Sequence, residues 1–318
     1  MLTNIEHLKV TPANCCICGF DNGVIAGKGE DFEYRTSQDI FIAKKCDTCG
    51  LVYLNPRPDI SEFEKIYPAN YHAFDFSEKE FGLVFKIRQW LESRRLLAFC
   101  KGLKDGARIL DAGCGDGFHL KLLRKFGNKT WQLEGVDIDD RAILMAEKSG
   151  LKVHHANVET ADLPENFYDL VFTIQTIEHL ANPDRVLQSI YKILKPGGRL
   201  VIVTDNTDSL DFKISKRRHW GGYHFPRHWY LFNKQSMKKL AGKTHYEIEY
   251  LGTQTSPVNW VYTIHNWLVD KNKPAWMIRQ FTLKSAISLS VFTSLDMLFQ
   301  RFRRGALLRV YLKKPLGT

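Results

Sequence analysis

The stretch ILDAGCGDGFHL, residues 109–120, sets an apolar run ending in Asp111 directly against glycines at 113, 115 and 117. The run has the length and composition of a short buried strand, and FHLKLLRKF behind it reads as a helix, so the glycines form a strand-to-helix turn stripped of side chains. Such a turn lets a ligand lie against the backbone at the positive N-terminal end of a helix. The G-x-G-x-G spacing departs from the G-x-G-x-x-G of a dinucleotide site, and a carboxylate just beneath the turn suits a cationic ligand better than a pyrophosphate.

The segment that follows repeats the pattern. QLEGVDIDD ends a second strand in Asp137, about 20 residues past the last glycine, where a carboxylate can accept hydrogen bonds from both hydroxyls of a ribose. Strand, loop and helix then alternate through LKVHHANVE, YDLVFTIQTIEHL and LKPGGRLVIVT. That alternation predicts an α/β, doubly wound, mostly parallel sheet with helices on both faces and a ligand at the carboxyl ends of its strands.

Four of the seven cysteines form two pairs, Cys15-x-x-Cys18-Gly19 and Cys46-x-x-Cys49-Gly50. Each pair can turn two thiolates toward one ion, and two such knuckles complete a closed, tetrahedral four-sulfur site, so the expected ion is a structural zinc held by Cys15, Cys18, Cys46 and Cys49. Cys16 breaks the spacing and is read as a bystander or a substitute for Cys15. Disulfides are the competing reading, and the start of the chain, which lacks the charged, apolar and small-residue pattern of a secretory signal, favours metal. Residues 1–55 are thus expected to form a zinc ribbon. Residues 56–104 read as a proline-punctuated connector followed by a lead-in helix with Phe81, Val84, Phe85, Trp90, Leu91, Leu96 and Leu97 at helical spacing.

Residues of roughly 105–205 resemble a class I S-adenosylmethionine-dependent methyltransferase in ILDAGCGDG, GVDID, FYDLVFTIQTIEHLANPDRVL and ILKPGGRLVI, in that order and spacing. The resemblance implies a seven-stranded sheet over 105–318. It also implies that Gly113, Gly115 and Gly117 approach the methionine part of S-adenosylmethionine, with Asp111 near its amino group and Asp137 on the ribose. Asn157 stands where many relatives carry an acid facing the adenine amino group, and Gln175 borders the methionine arm. His179, in IEHL, falls where the family often places a functional histidine. Relatives that methylate quinone rings show E-x-x-E-H at this place, sometimes with a divalent ion. The run here is QTIEH, with Gln175 for the first Glu, which argues against a second metal site.

Beyond the fifth strand, KRRHWGGYHFPRHWYLFN gathers three His, three Arg and several aromatics in eighteen residues. Aromatic walls with a few polar groups suit an organic acceptor. Trp220, Tyr223 and Arg227 are the expected binding residues, and His224 and His228 join His179 as candidates for proton transfer. Two late strands, YEIEYLGT and LLRVYLKK, bracket an insertion over about 255–305 that is expected to form two helices. Its apolar residues, and Arg301, Arg303 and Arg304 at its end, suit a cap over the acceptor pocket or a helix resting on an anionic membrane surface.

The net charge of +10 sits almost wholly in residues 271–318, with ten Lys and Arg against one acid. No apolar stretch reaches the roughly 20 residues of a membrane span, so the chain is read as cytoplasmic, with contact at the inner membrane surface as an option. A methyltransferase acting on a small-molecule, sugar or lipid-linked acceptor, at oxygen or carbon, leads this reading. An RNA methyltransferase gripping nucleic acid with ribbon and tail ranks lower, because the basic tail is apolar and the fourth-strand loop lacks an Asn/Asp-Pro-Pro-aromatic run. A noncatalytic ribbon protein with a retained cofactor fold is the third option, against which the intact Asp111, glycines and Asp137 argue.

Overall fold

The computed structural model describes residues 7–68, 71 and 78–317. The N-terminal part holds β1 (Val10–Thr11), β2 (Gly23–Gly29), β3 (Phe41–Cys46), β4 (Val52–Leu54) and β5 (Arg57–Pro58). The connector is not bare linker: it forms β5, a 3-10 turn at Ile60–Glu62 and α1 (Phe63–Ile66). The lead-in helix is α2 (Glu78–Phe99), interrupted at Gly82, where φ is +49°. Its Leu96 is buried, Phe85 meets the Phe118 ring and Trp90 is exposed beneath the Arg94 guanidinium, whereas the side chains of Phe81 and Val84 lie outside the described residues.

The main domain runs β6 (Arg108–Ala112), α3 (Phe118–Phe126), β7 (Gln132–Asp137), α4 (Asp140–Lys148), β8 (Lys152–His155), β9 (Tyr168–Ile174), α5 (Pro183–Ile193), β10 (Leu194–Asp205), α6 (Leu210–Ser215), β11 (Tyr230–Leu231), α7 (Lys234–Lys243), β12 (Glu247–Gln254), α8 (Val258–Asp270), α9 (Ala275–Ile278), α10 (Ala286–Arg301) and β13 (Leu307–Lys313). Its seven-stranded sheet has the order β12-β13-β10-β9-β6-β7-β8, and β13 is antiparallel to both neighbours while the pairs from β10 to β8 are parallel. The strands are nearly continuous apolar runs because both faces are covered: Ile109, Leu110, Leu170, Val171, Leu200 and Val201 are all fully buried. The strand order turns around between β6 and β9, which opens a crevice at their carboxyl ends.

Two findings bear on the site. First, β11, from the histidine-rich loop, pairs with β4, so the second sheet runs β11-β4-β3-β2 and joins the ribbon to the main domain. One buried cluster accordingly contains Phe41, Leu51 and Tyr53 together with Ile190, Trp229 and Phe232. Second, the insertion contains three helices rather than two, the short α9 lying between α8 and α10. Of its two acids, Asp270 pairs with Arg218, while Asp296 is fully buried and accepts the backbone N–H of Ser256 and of Ala306 and the Trp260 indole N–H. That carboxylate ties both ends of the insertion together, which explains an aspartate in an otherwise apolar helix.

Candidate active site

The turn after β6 is as bare as the sequence suggests, for two separate reasons. Gly113 and Gly117 have φ of +85° and +78°, and a Cβ on them would lie 2.3 Å from the Thr176 side chain and 2.2 Å from that of Leu151. Around Gly115 a Cβ would meet nothing within 4 Å, so open space faces the backbone there. Asp111 ends β6 almost fully buried, and neither carboxylate oxygen has a hydrogen-bond partner among the described residues. His119 Nδ1 stands 3.6 Å away, too far for a hydrogen bond. Burial lifts the Asp111 carboxyl to about 6 despite that histidine. A buried carboxylate without partners beside a bare turn is suited to a ligand ammonium group.

Asp137, at the end of β7, accepts the Gly115 N–H on Oδ2 at 2.8 Å and the Ile138 and Asp139 N–H groups on Oδ1. These bonds aim the carboxylate, and Oδ2, which accepts once, keeps a further lone pair for a hydroxyl. Asn157 accepts the Glu159 N–H on its Oδ1, in a local turn. Gln175, immediately after β9, is held at φ +52°, and its Nε2 reaches Asp205 Oδ2 at 3.5 Å. A non-glycine residue in that conformation marks a tightly constrained loop.

Beyond Gln175 the structure gathers titratable groups that share a buried space. His228 Nδ1 lies 2.9 Å from the Gly222 carbonyl oxygen and 3.3 Å from Asp205 Oδ2. The rings of His179 and His228 are 4.6 Å apart, and that of His224 is 5.0 Å from His228. His179 Nδ1 meets the Tyr67 hydroxyl at 2.9 Å and the Arg227 carbonyl at 3.1 Å. His224 faces Glu33 through Nδ1 at 3.0 Å and Tyr71 through Nε2 at 3.4 Å. Burial pushes His179 and His224 down to about 3, aided at His179 by His224 and at His224 by Arg227, and carries His228 in the same direction. All three imidazoles are therefore neutral at pH 7. Asp205, lifted by burial to about 7, also accepts the Asn259 amide of α8 at 2.7 Å.

Glu178, His179 and His228 each offer one ligand atom within 4.8 Å of the others, a set that can hold a metal ion. Glu178 Oε1 is buried without a partner among the described residues. The sequence argument against a second ion counted only the QTIEH run, whereas His228 comes from another loop.

Trp220, Tyr223 and Arg227 spend their polar atoms on partners within the chain. Trp220 donates its indole N–H to Asp211, Tyr223 donates to the Lys216 carbonyl, and both rings pack with Phe212 in an aromatic core. The Arg227 guanidinium, fully buried, pairs with Asp31 at 2.9 Å and donates to the carbonyls of Ile66 and Phe225. Sequence reasoning missed Glu33, Tyr67, Tyr71, Glu178 and Asp205. An acidic GEDFE run in the ribbon opposite a basic loop was the one signal available for Glu33.

The cysteine cluster is simpler. Sγ atoms of Cys15, Cys18, Cys46 and Cys49 all lie within 4.8 Å of one another, and those of Cys15 and Cys49 are 3.4 Å apart. Thiolates sharing one tetrahedral zinc stand about 3.8 Å apart, given a Zn–S distance near 2.3 Å. The backbone N–H of Gly19 and of Gly50 closes each knuckle onto Cys15 and Cys46. The four cysteines are unpaired by disulfides, and the cluster is consistent with zinc. Cys16 stands outside it.

Residues 85–251, more than half of the chain, match the family model described as a methyltransferase domain. The chain belongs to this methyltransferase family. Its domain is of the class I, S-adenosylmethionine-dependent type, and it is distantly related to methyltransferases of quinone biosynthesis. The methyltransferase is 27% identical over 161 residues to the ubiquinone biosynthesis O-methyltransferase of Pseudomonas savastanoi pv. phaseolicola, a match covering 47% of this chain and 63% of the relative. It is 28% identical over 123 residues to the ubiquinone/menaquinone biosynthesis C-methyltransferase of Psychromonas ingrahamii, covering 36% and 49%. The match thus spans less than two thirds of either relative's length. Among solved structures, phosphoethanolamine N-methyltransferase 2 of Haemonchus contortus, in complex with S-adenosyl-L-methionine, shares the fold with a TM-score of 0.53 at 20% identity, over 93% of this chain and 70% of that one.

Proposed function

We propose that this methyltransferase moves the methyl group of S-adenosylmethionine to a small ring-shaped acceptor, a phenol- or quinone-type ring or a sugar, free or lipid-linked. The observation that carries this reading is the continuous line from Gln175 through Asp205 to the buried histidines. It sets neutral proton acceptors and aromatic walls directly beside the cofactor crevice. The sulfonium supplies the activated methyl group.

The chain's own residues do the rest. Asp111, with both oxygens unpartnered, holds the cofactor's ammonium group, the bare turn at Gly113–Gly117 admits its methionine part, Gln175 borders that arm, Asp137 accepts its ribose hydroxyls and Asn157 meets its adenine. Tyr67 and Tyr71, with rings 5.1 Å apart, flank the acceptor space. His224 is the base: Glu33 fixes its Nδ1–H, so Nε2 carries the lone pair that takes an acceptor proton, and the imidazolium then formed faces the Glu33 carboxylate. Burial keeps it neutral at pH 7, the form that can accept a proton. His179 and His228 line the same space and can pass that proton on. Trp220, Tyr223 and Arg227 position the loop, and α8 covers it, the Thr263 hydroxyl accepting the Gly221 N–H at 2.9 Å.

A screen of phenolic, quinol and sugar acceptors with methyl-labelled S-adenosylmethionine tests this. His224→Asn is expected to lower kcat about 100-fold or more while leaving S-adenosylhomocysteine affinity within twofold. Full turnover by His224→Asn removes the base assignment, and no label transfer to any acceptor class removes the proposed acceptor.

A further inference from the structure

A surface helix ordinarily turns its apolar residues inward. In α10 the inward side is already filled, with Phe292 and Phe299 stacked on Trp260 at centroid distances of 6.0 and 5.9 Å. A second apolar stripe remains outside. Ile287, Val291, Leu298 and Phe302, at steps of four, seven and four residues, are 76, 57, 54 and 67% exposed, and Trp276 on α9 is 67% exposed. Residues 271–304 also carry seven Lys and Arg, and their one acid is the buried Asp296. Arg301, Arg303 and Arg304, at and just past the end of α10, are exposed, as is Arg279 after α9.

We infer that this face docks on an anionic lipid surface, with α10 lying in the plane of the interface. Charge decides the occupant. A second copy of the chain would bring two such cationic faces together with no exposed acid from either segment between them. An anionic bilayer supplies negative headgroups for the arginines and acyl chains for the stripe. Trp276 has the amphipathic ring favoured at headgroup depth. At 16 residues α10 lies on the membrane rather than through it, and among the described residues no helix is long and apolar enough to cross one. The inference is independent of the acceptor and of turnover.

The test is sedimentation of the full-length, zinc-loaded protein with vesicles of phosphatidylcholine alone or mixed with phosphatidylglycerol, at about 0.1 M salt. The protein sediments with the mixed vesicles and much less with the neutral ones. Arg303→Gln combined with Arg304→Gln weakens binding by about 25-fold, at roughly fivefold per arginine near an anionic surface. Val291→Ser with Leu298→Ser removes most of the remainder at unchanged charge, with circular dichroism and S-adenosylhomocysteine binding checking that the fold persists. The inference is overturned by no sedimentation with anionic vesicles, or by variants that bind like the parent. It is also overturned by a concentration-dependent dimer that Leu298→Ser dissolves, which would assign the stripe to a second copy.

Discussion

Replacing Arg227 by methionine tests whether ribbon and main domain are one folding unit. The Arg227 and Asp31 side chains are both 0% exposed, 196 residues apart in sequence, and joined by two hydrogen bonds of 3.2 and 2.9 Å. Removing the guanidinium also strips the carbonyls of Ile66 and Phe225 of a donor and leaves Asp31, among the described residues, with the Tyr34 and Thr36 donors. An uncompensated buried charge costs about 3–5 kcal/mol. Urea unfolding followed by tryptophan fluorescence, with zinc release monitored by a chelating dye, should show both signals shifting together by that amount. Asp31→Asn with Arg227→Met should cost clearly less than the two single changes summed. A loss below about 1 kcal/mol, or zinc release that keeps its parental midpoint, would refute the one-unit account. The pH dependence has a definite sign. Burial alone would raise the Asp31 carboxyl, but the Arg227 charge and its hydrogen bonds hold it below the ordinary range. The pair's stabilisation is therefore complete above about pH 4 and lost as pH falls through the lower, folded-state value.

Asp111 carries the opposite sign. Its carboxyl is lifted by burial to about 6, so ionisation costs the cofactor-free fold stability that grows as pH rises from about 4 to about 6. Asp111→Asn should thus stabilise the cofactor-free protein at pH 7 by about 1–3 kcal/mol, measured by urea unfolding, while weakening S-adenosylmethionine binding at least tenfold by calorimetry. Glu33→Gln should reduce kcat about 10- to 100-fold and shift its pH profile, with S-adenosylhomocysteine affinity unchanged; unaltered turnover would detach the ribbon from the chemistry. Cys46→Ser should lower bound zinc, measured by atomic absorption, from one per chain to near zero and destabilise the whole molecule, and full metal retention would refute the ligand set.

What could be read from the sequence was local. The β6 turn, the ends of β7 and β9 and both cysteine knuckles each lie within a dozen contiguous residues, where apolar period, glycine spacing and cysteine spacing act directly. The sheet followed from the same alternation. Contacts across the chain left no such mark: Glu33 meets His224 across 191 residues, and β11 joins β4 through a pairing that two residues, Tyr230 and Leu231, cannot announce. The density of aromatics in residues 216–233 marked this loop, but which of its atoms are free to face a crevice is decided by burial. Trp220, Tyr223 and Arg227 spend their polar atoms on Asp211, Lys216 and Asp31, and only the folded packing reveals that.

The measurement that bears most directly on the central claim is calorimetric titration of the zinc-loaded 318-residue chain and of Gly113→Ala with S-adenosylhomocysteine. The parent should bind one equivalent, and Gly113→Ala should bind at least tenfold more weakly. A Cβ there would sit 2.3 Å from the Thr176 side chain at a φ of +85°, distorting the turn that receives the ligand. No binding by the parent, or equal binding by Gly113→Ala, would contradict the placement of the cofactor at this turn.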